Sequence, residues 1–265
     1  MKKVNKSLPP KELTAFSQVN SQASWANFRD HNSGNSYQQT REKLLVDQGG
    51  LCAYCEKEVD KLPAHLQRIE HFHPKSDSSD PSKNWHLDWH NMLAVCTGGS
   101  QSTEADHKQH PLPNNLSCDA YKEHCISTKR LDEDCDGYLL NPIELNSTLC
   151  FFDFDKATGE LVPNTDICQS VFFSGKNEYT DFFELLTKTV ELLNLNCQRL
   201  RDDRLKVLKL YNQEITKARR TGDTLIFQKL ADRWFSQKWP SFFTTRRILL
   251  GQHAEKVLTK KNYNG

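Results

Sequence analysis

The chain has 265 residues, 37% hydrophobic and 26% charged, with a mean hydropathy of −0.71. That length and apolar content support a real core in one large domain or two modest ones and exclude an intrinsically disordered chain; no run approaches the roughly 18 apolar residues of a membrane span. The formal net charge of +1 conceals a polarity, because residues 181–265 hold 17 Lys and Arg against 9 Asp and Glu, a balance of +8 that leaves −7 for residues 1–180.

The first residues, Met1 to Lys6, are basic but lead into Ser7-Leu8-Pro9-Pro10 instead of an apolar segment. No secretory signal is read there, and a cytoplasmic location is expected. Pro9-Pro10 then opens a first helix, and Ser36-x-x-Gln39 resembles a capping box for a helix over Tyr37 to Gln48, stopped by Gly49-Gly50. Leu51 to Cys55 reads as a CxxC turn opening a hairpin, Arg68 to His71 as a strand, and Trp89 to Val95 as a strand end or short helix. Thr97 to Ser117, rich in Gly, Ser, Pro and His, reads as an irregular insertion. Phe152 and Phe154 alternate with Asp153 and Asp155, predicting a hairpin over Leu149 to Val162. The remainder reads helical: one helix capped by Thr180 and running to Leu193, one from Asn196 to Arg220 stopped by Gly222, and one on each side of Pro240. Its basic balance offers phosphate contacts or, equally, solvated helix faces.

Nine cysteines are an odd number, and in a reducing compartment they read as thiols and metal ligands. Cys52-x-x-Cys55 sets two thiolates on one ion, and Cys96 with Cys118 would complete a closed tetrahedral zinc site. Those last two are separated by 21 intervening residues, so His107, His110, His124 or Cys125 are alternative ligands. Cys125, Cys135, Cys150, Cys168 and Cys197 lack pair spacing and read as small apolar core residues.

Between the cysteines lie Arg68-Ile69-Glu70-His71-Phe72-His73-Pro74-Lys75-Ser76 and Trp89-His90-Asn91-Met92-Leu93-Ala94-Val95-Cys96, followed by Cys118-Asp119-Ala120-Tyr121-Lys122. This order resembles the HNH nuclease motif, an acidic-His pair, a central Asn and a further polar ligand beside the last zinc cysteine in a ββα-metal unit. Glu70 stands where Asp is frequent, and Asp119 where His or Asn is frequent. Together with the Phe152-Asp153-Phe154 hairpin and Leu192-Leu193-Asn194-Leu195-Asn196, most of the chain is similar to the PtuB-type HNH proteins of Septu and retron-linked anti-phage defence. The resemblance implies a partner ATPase of the ABC/AAA class, PtuA-like, and a retron reverse transcriptase with its RNA–DNA product. The chain has no GxxxxGK[ST] loop of its own.

The chemistry suggested is phosphodiester hydrolysis, of DNA in preference to RNA. His71 is the general base, Glu70 and Asp119 hold Mg²⁺ or Mn²⁺ through hard oxygens, Asn91 orients the loop or ring of His71, and Lys122 contacts phosphate. His73, on the same strand face as His71, is an alternative base or ligand, or a surface residue. Two other classes compete: a nonenzymatic zinc-stabilised nucleic-acid-binding module and an adaptor for an ATPase. The expected architecture is α+β, with an N-terminal helical section (1–49), a zinc-bound nuclease core (50–145) and a hairpin followed by C-terminal helices (146–265).

Overall fold

A computed structural model describes residues 1–103 and 105–263; Glu104 of the 97–117 insertion and residues 264–265 lie outside it. The fold is α+β, with two short antiparallel sheets among helices. Helices α1 (Lys11–Val19), α2 (Trp25–Asp30) and α3 (Asn35–Asp47) come first. The expected Ser36 cap is not what starts α3. The helix begins after Gly34, whose φ of +85° closes a tight left-handed turn through Asn32 and Ser33, and Ser36 sits inside it with its hydroxyl 3.0 Å from His31 Nδ1. A capping box does occur earlier, where the Ser24 and Asn27 side chains each accept from the other's backbone N–H at the start of α2.

Gly49 and Gly50, at φ +66° and +76°, end α3 and turn the chain into the knuckle. Strands β1 (Arg68–His71) and β2 (Met92–Val95) pair with Arg68 opposite Val95 and His71 opposite Met92. All four residues of β2 are buried, as a strand covered on both faces requires. Its outer edge is closed by a side chain: Gln48 donates to and accepts from the backbone of Ala94 at 2.8 Å in each direction, and Ala53 N–H donates to the same carbonyl at 3.0 Å. These bonds fix the CxxC turn against the sheet. After turns through residues 97–117 comes α4 (Cys118–Ser127).

The second hairpin pairs β3 (Phe152–Phe154) with β4 (Leu161–Pro163), followed by α5 (Thr165–Ser170). Helix α6 (Phe182–Leu192) is capped by Asp181, which accepts from Glu184 N–H, while the expected cap Thr180 bonds the Glu184 carboxylate instead. Helix α7 (Gln198–Thr221) ends at Gly222, φ +68°. Helix α8 (Ile226–Phe235) precedes Pro240; beyond it the one expected helix is two, α9 (Phe243–Leu250) and α10 (Gln252–Lys260), broken at Gly251 with φ +48° and ψ −126°. That backbone conformation is open to glycine and interrupts an otherwise continuous apolar spacing.

One buried cluster draws on every section of the chain, including Phe28, Leu44, Cys55, Leu93, Phe152, Leu185 and Leu200. A smaller one joins Leu51 to Ile215, Leu230, Phe235, Phe243 and Leu258. No described helix is long and apolar enough to cross a membrane.

Candidate functional site

The four cysteines singled out by spacing converge. Cys52, Cys55, Cys96 and Cys118 are all buried, and their sulfurs lie within 4.8 Å of one another. Cys52 and Cys118 are 3.8 Å apart, Cys55 and Cys96 3.7 Å, and Cys96 and Cys118 3.8 Å. A tetrahedron of sulfurs about 2.3 Å from a zinc ion has edges of about 3.8 Å, which these three distances match. His107 and His110 are engaged otherwise: His107 Nε2 contacts the Gly99 carbonyl at 2.9 Å, and His110 faces Asp202 at 3.8 Å.

The electrostatics of the cage also fit a metal. Burial pushes the Cys52 and Cys118 thiols up, whereas hydrogen bonds from Cys118, Cys52 and Cys96 pull Cys55 down. Beside it lies the buried Arg199, which donates through Nη2 to Ser117 Oγ at 2.8 Å but leaves Nε and Nη1 without partners. Burial acts against its charge, yet the sulfurs of Cys197, Cys96, Cys55 and Cys118 hold its pKa above the ordinary value. A guanidinium set among sulfurs supplies the counter-charge that four thiolates on a divalent ion require.

β1 ends in Glu70 and His71, both buried. His71 Nε2 lies 3.1 Å from the His86 carbonyl oxygen; a carbonyl only accepts, so Nε2 carries the hydrogen and Nδ1 holds the lone pair. The ring packs edge-on against Trp25, centroids 4.6 Å apart. Burial, and then the Lys75 charge, push its pKa down to about 3, so the imidazole is neutral at physiological pH. Three residues that spacing did not reveal hold this arrangement. Trp25 N–H donates to His86 Nδ1 at 3.1 Å, and Asn84 accepts from His86 N–H while donating to the Ser21 and Ala23 carbonyls. The N-terminal section thereby buttresses the loop on which His71 leans.

Asn91 closes the same loop from its other end. Its Nδ2 donates to the His73 and Trp85 carbonyls at 3.0 and 3.1 Å, and its Oδ1 accepts from His73 N–H at 2.6 Å. The strand has already ended at His73, so the shared face expected for His71 and His73 is not formed. The His73 ring stacks on Trp85 instead, its nitrogens 2.8 Å from Asp136 and 2.7 Å from Asp77.

Lys122, on α4, is 3% exposed and donates to Glu70 Oε1 at 2.6 Å and to the Phe72 carbonyl at 3.3 Å. Its ammonium therefore faces Glu70 in the interior. The other Glu70 oxygen, Oε2, and the nearby Tyr54 hydroxyl are both buried and interact with each other without forming a hydrogen bond of ordinary geometry; burial and then the Glu70 charge raise the Tyr54 pKa. Burial is the largest influence on Glu70, and Lys122 pulls against it; with half-buried Asp119 adding its charge, the carboxyl is pushed up to about 7. A carboxylate oxygen without an ordinary hydrogen bond, with a second carboxylate within electrostatic reach, is a donor set suited to a hard divalent ion. His71 and Lys122 line an open cleft of about 410 Å³ together with Lys75, Ser76, His86 and Glu133. Tyr54 carried one legible signal, its place inside the CxxC; Lys75 stood beside the acidic-His pair.

No protein-family model matches the chain. It is 37% identical over 251 residues to the "Retron Ec83 putative HNH endonuclease" of Escherichia coli, an alignment spanning 94% of this chain and 93% of that protein.

Proposed function

Because the chain belongs to the HNH endonuclease family, we propose that it hydrolyses phosphodiester bonds of nucleic acid, DNA in preference to RNA, with His71 as the general base. The observation that carries this reading is the bond from His71 Nε2–H to the His86 carbonyl, which leaves the Nδ1 lone pair to take a proton. Lys122 of α4 reaches Glu70 of β1 at 2.6 Å, which supports taking β1, β2 and α4 as the ββα-metal unit and residues 50–145 as the nuclease core between a helical section (1–49) and residues 146–265.

Glu70 and Asp119 would hold Mg²⁺ or Mn²⁺, and Cys52, Cys55, Cys96 and Cys118 a structural zinc. A hard ion bound there supplies stabilisation of the charge that develops on the phosphate and leaving oxygen. The residues do the rest. Neutral His71 accepts the proton of the attacking water at Nδ1, and the approach of a phosphate's negative charge opposes the influence of Lys75 that depresses its basicity. Asn91 is a positioning residue that fixes the loop after β1 through three backbone bonds. Lys122 holds the Glu70 carboxylate and reaches phosphate if that pair opens, while exposed Lys75 meets the phosphate from the cleft.

The retron named in the relative's description supports a retron context, with a reverse transcriptase and its RNA–DNA product as neighbours; a role in anti-phage defence beside a PtuA-like ABC/AAA ATPase rests on the sequence resemblance alone. The test is a nicking assay on duplex DNA, single-stranded DNA and RNA, with Mg²⁺ or Mn²⁺ and with chelator. Wild type should cut DNA in a metal-dependent way, and His71→Ala should lose roughly 10²–10⁴-fold in rate while keeping its zinc and circular dichroism spectrum. An unchanged rate in His71→Ala would remove His71 as the base.

A further inference from the structure

Helix α7 presents one open face. Leu205, Leu208, Lys209, Asn212, Gln213, Thr216, Lys217, Arg220 and Thr221 recur at three- and four-residue spacing and line a shallow groove along it, whereas Leu200, Arg204, Val207, Ile215 and Ala218 are buried on the opposite side. The charges on the helix are sorted. Its acids are committed elsewhere: Asp202 accepts from Gln198, Asp203 pairs with Lys57 and Lys206, and Glu214 pairs with Arg233. The side chains of Lys209, Lys217 and Arg220 have no ion-pair or hydrogen-bond partner among the described residues, and no acid lines the groove with them. Asn212, Gln213 and Thr216 between them are exposed and make no side-chain hydrogen bond among the described residues.

We propose that this face of α7 is the docking surface for a DNA duplex, with Lys209, Lys217 and Arg220 on phosphates and Asn212 and Gln213 directed at base edges in the major groove. The inference rests on the reading of the chain as a nuclease acting on DNA and assigns the surface that holds the substrate. Uncompensated cations flanking free amides are the complement of a polyanion with donors and acceptors on its groove floor. A helix of 24 residues, about 36 Å long, fits the major groove of B-form DNA, whereas the major groove of A-form RNA is too deep and narrow for it. The helix is also tied to the nuclease core at its first turn, where Arg199 N–H donates to Asn115 Oδ1 and Arg199 Nη2 to Ser117 Oγ, next to Cys118. The docking face is thereby fixed in position relative to the knuckle.

The experiment measures binding of a fluorescent DNA duplex to the full-length zinc-loaded protein across a salt series, without added Mg²⁺ or Mn²⁺, for wild type, Lys209→Ala/Lys217→Ala/Arg220→Ala and Lys206→Ala. Three lost phosphate contacts should flatten the slope of log K against log salt by about 2.7 and weaken binding roughly tenfold or more at ~0.1 M salt. Lys206→Ala, whose ammonium is already paired with Asp203, should leave the slope unchanged. An unchanged slope in the triple variant overturns the proposal. So does an equal effect of Lys206→Ala, an equal loss on an RNA duplex, or a triple variant that binds DNA normally but no longer co-purifies with a partner protein. Nicking by wild type is followed in parallel: present with an unchanged slope, it removes only the α7 assignment, and absent on every nucleic acid, it removes the substrate reading itself.

Discussion

The knuckle and the carboxylate site are assembled from the same stretches of chain, yet they stand ready for a cation in different ways. Around the knuckle, four sulfurs within 4.8 Å of one another, three of the pairs 3.7–3.8 Å apart, form a cage, and the counter-charge, Arg199, lies outside it. At the carboxylates the cation comes from within: Lys122 is on Glu70 Oε1 while Oε2 has no hydrogen bond of ordinary geometry. The first site demands an ion to be complete, and the second is already half neutralised by the protein. The divalent ion proposed at Glu70 and Asp119 would thus gain less than the one proposed at the cysteines, in keeping with an exchangeable catalytic metal beside a permanent structural one.

The largest expected effect breaks the first half of this contrast. Cys118→Ser removes a thiolate from the cage and should release the zinc, with an apparent binding free energy of about 10–16 kcal/mol no longer coupled to folding. Metal analysis should fall from one zinc per chain to near zero, and hydrogen exchange should show β1, β2 and the first turn of α4 losing protection. A variant that keeps its zinc and protection would mean that another residue supplies the fourth ligand.

A smaller effect tests the second half. Lys122→Met leaves Glu70 buried without its cation, which should cost about 3–5 kcal/mol in denaturant unfolding at neutral pH. The double variant Lys122→Met/Glu70→Gln, which removes the buried charge as well, should recover most of that loss. If the single variant loses less than about 1 kcal/mol, the pair is not the internal cation site described, and the contrast with the knuckle collapses.

Where candidate site residues lie close in sequence, their grouping was legible in the chain. The CxxC and the Glu70-His71 pair occupy a turn and a short strand, Cys118-Asp119 opens α4, and the strand at Arg68 to His71 and the hairpin at Phe152 formed where they were expected. What was illegible was set by distant packing. Nothing near His71 signals that Trp25 and Asn84 would brace His86, because that contact depends on how α2 lies on the loop after β1. Nor does Lys122 betray its burial: a lysine in an Asp-x-x-Lys step reads as solvated until the Glu70 side chain is brought against it. The helix caps failed for a local reason, since Ser36 and Thr180 each sit one or two residues from the true cap and competed with Gly34 and Asp181.

The finest test of the contrast uses pH. His71 is buried and neutral, its pKa pushed down to about 3 by burial and Lys75, whereas an unfolded histidine titrates near ~6.5. A depressed value of this kind contributes stability that is fully present above ~6.5 and is lost as pH falls toward about 3, because the unfolded chain takes up a proton the folded one refuses. Between pH 6.5 and 5 the wild type should therefore lose about 1.5 kcal/mol of unfolding free energy through this residue, a loss that His71→Ala should not show. The knuckle has no histidine to titrate in that window, so His71→Ala should remove this acid step with zinc content unchanged at both pH values. If wild type and His71→Ala lose stability in parallel, the imidazole is free to charge in place, and the desolvated base inferred for the cleft is wrong.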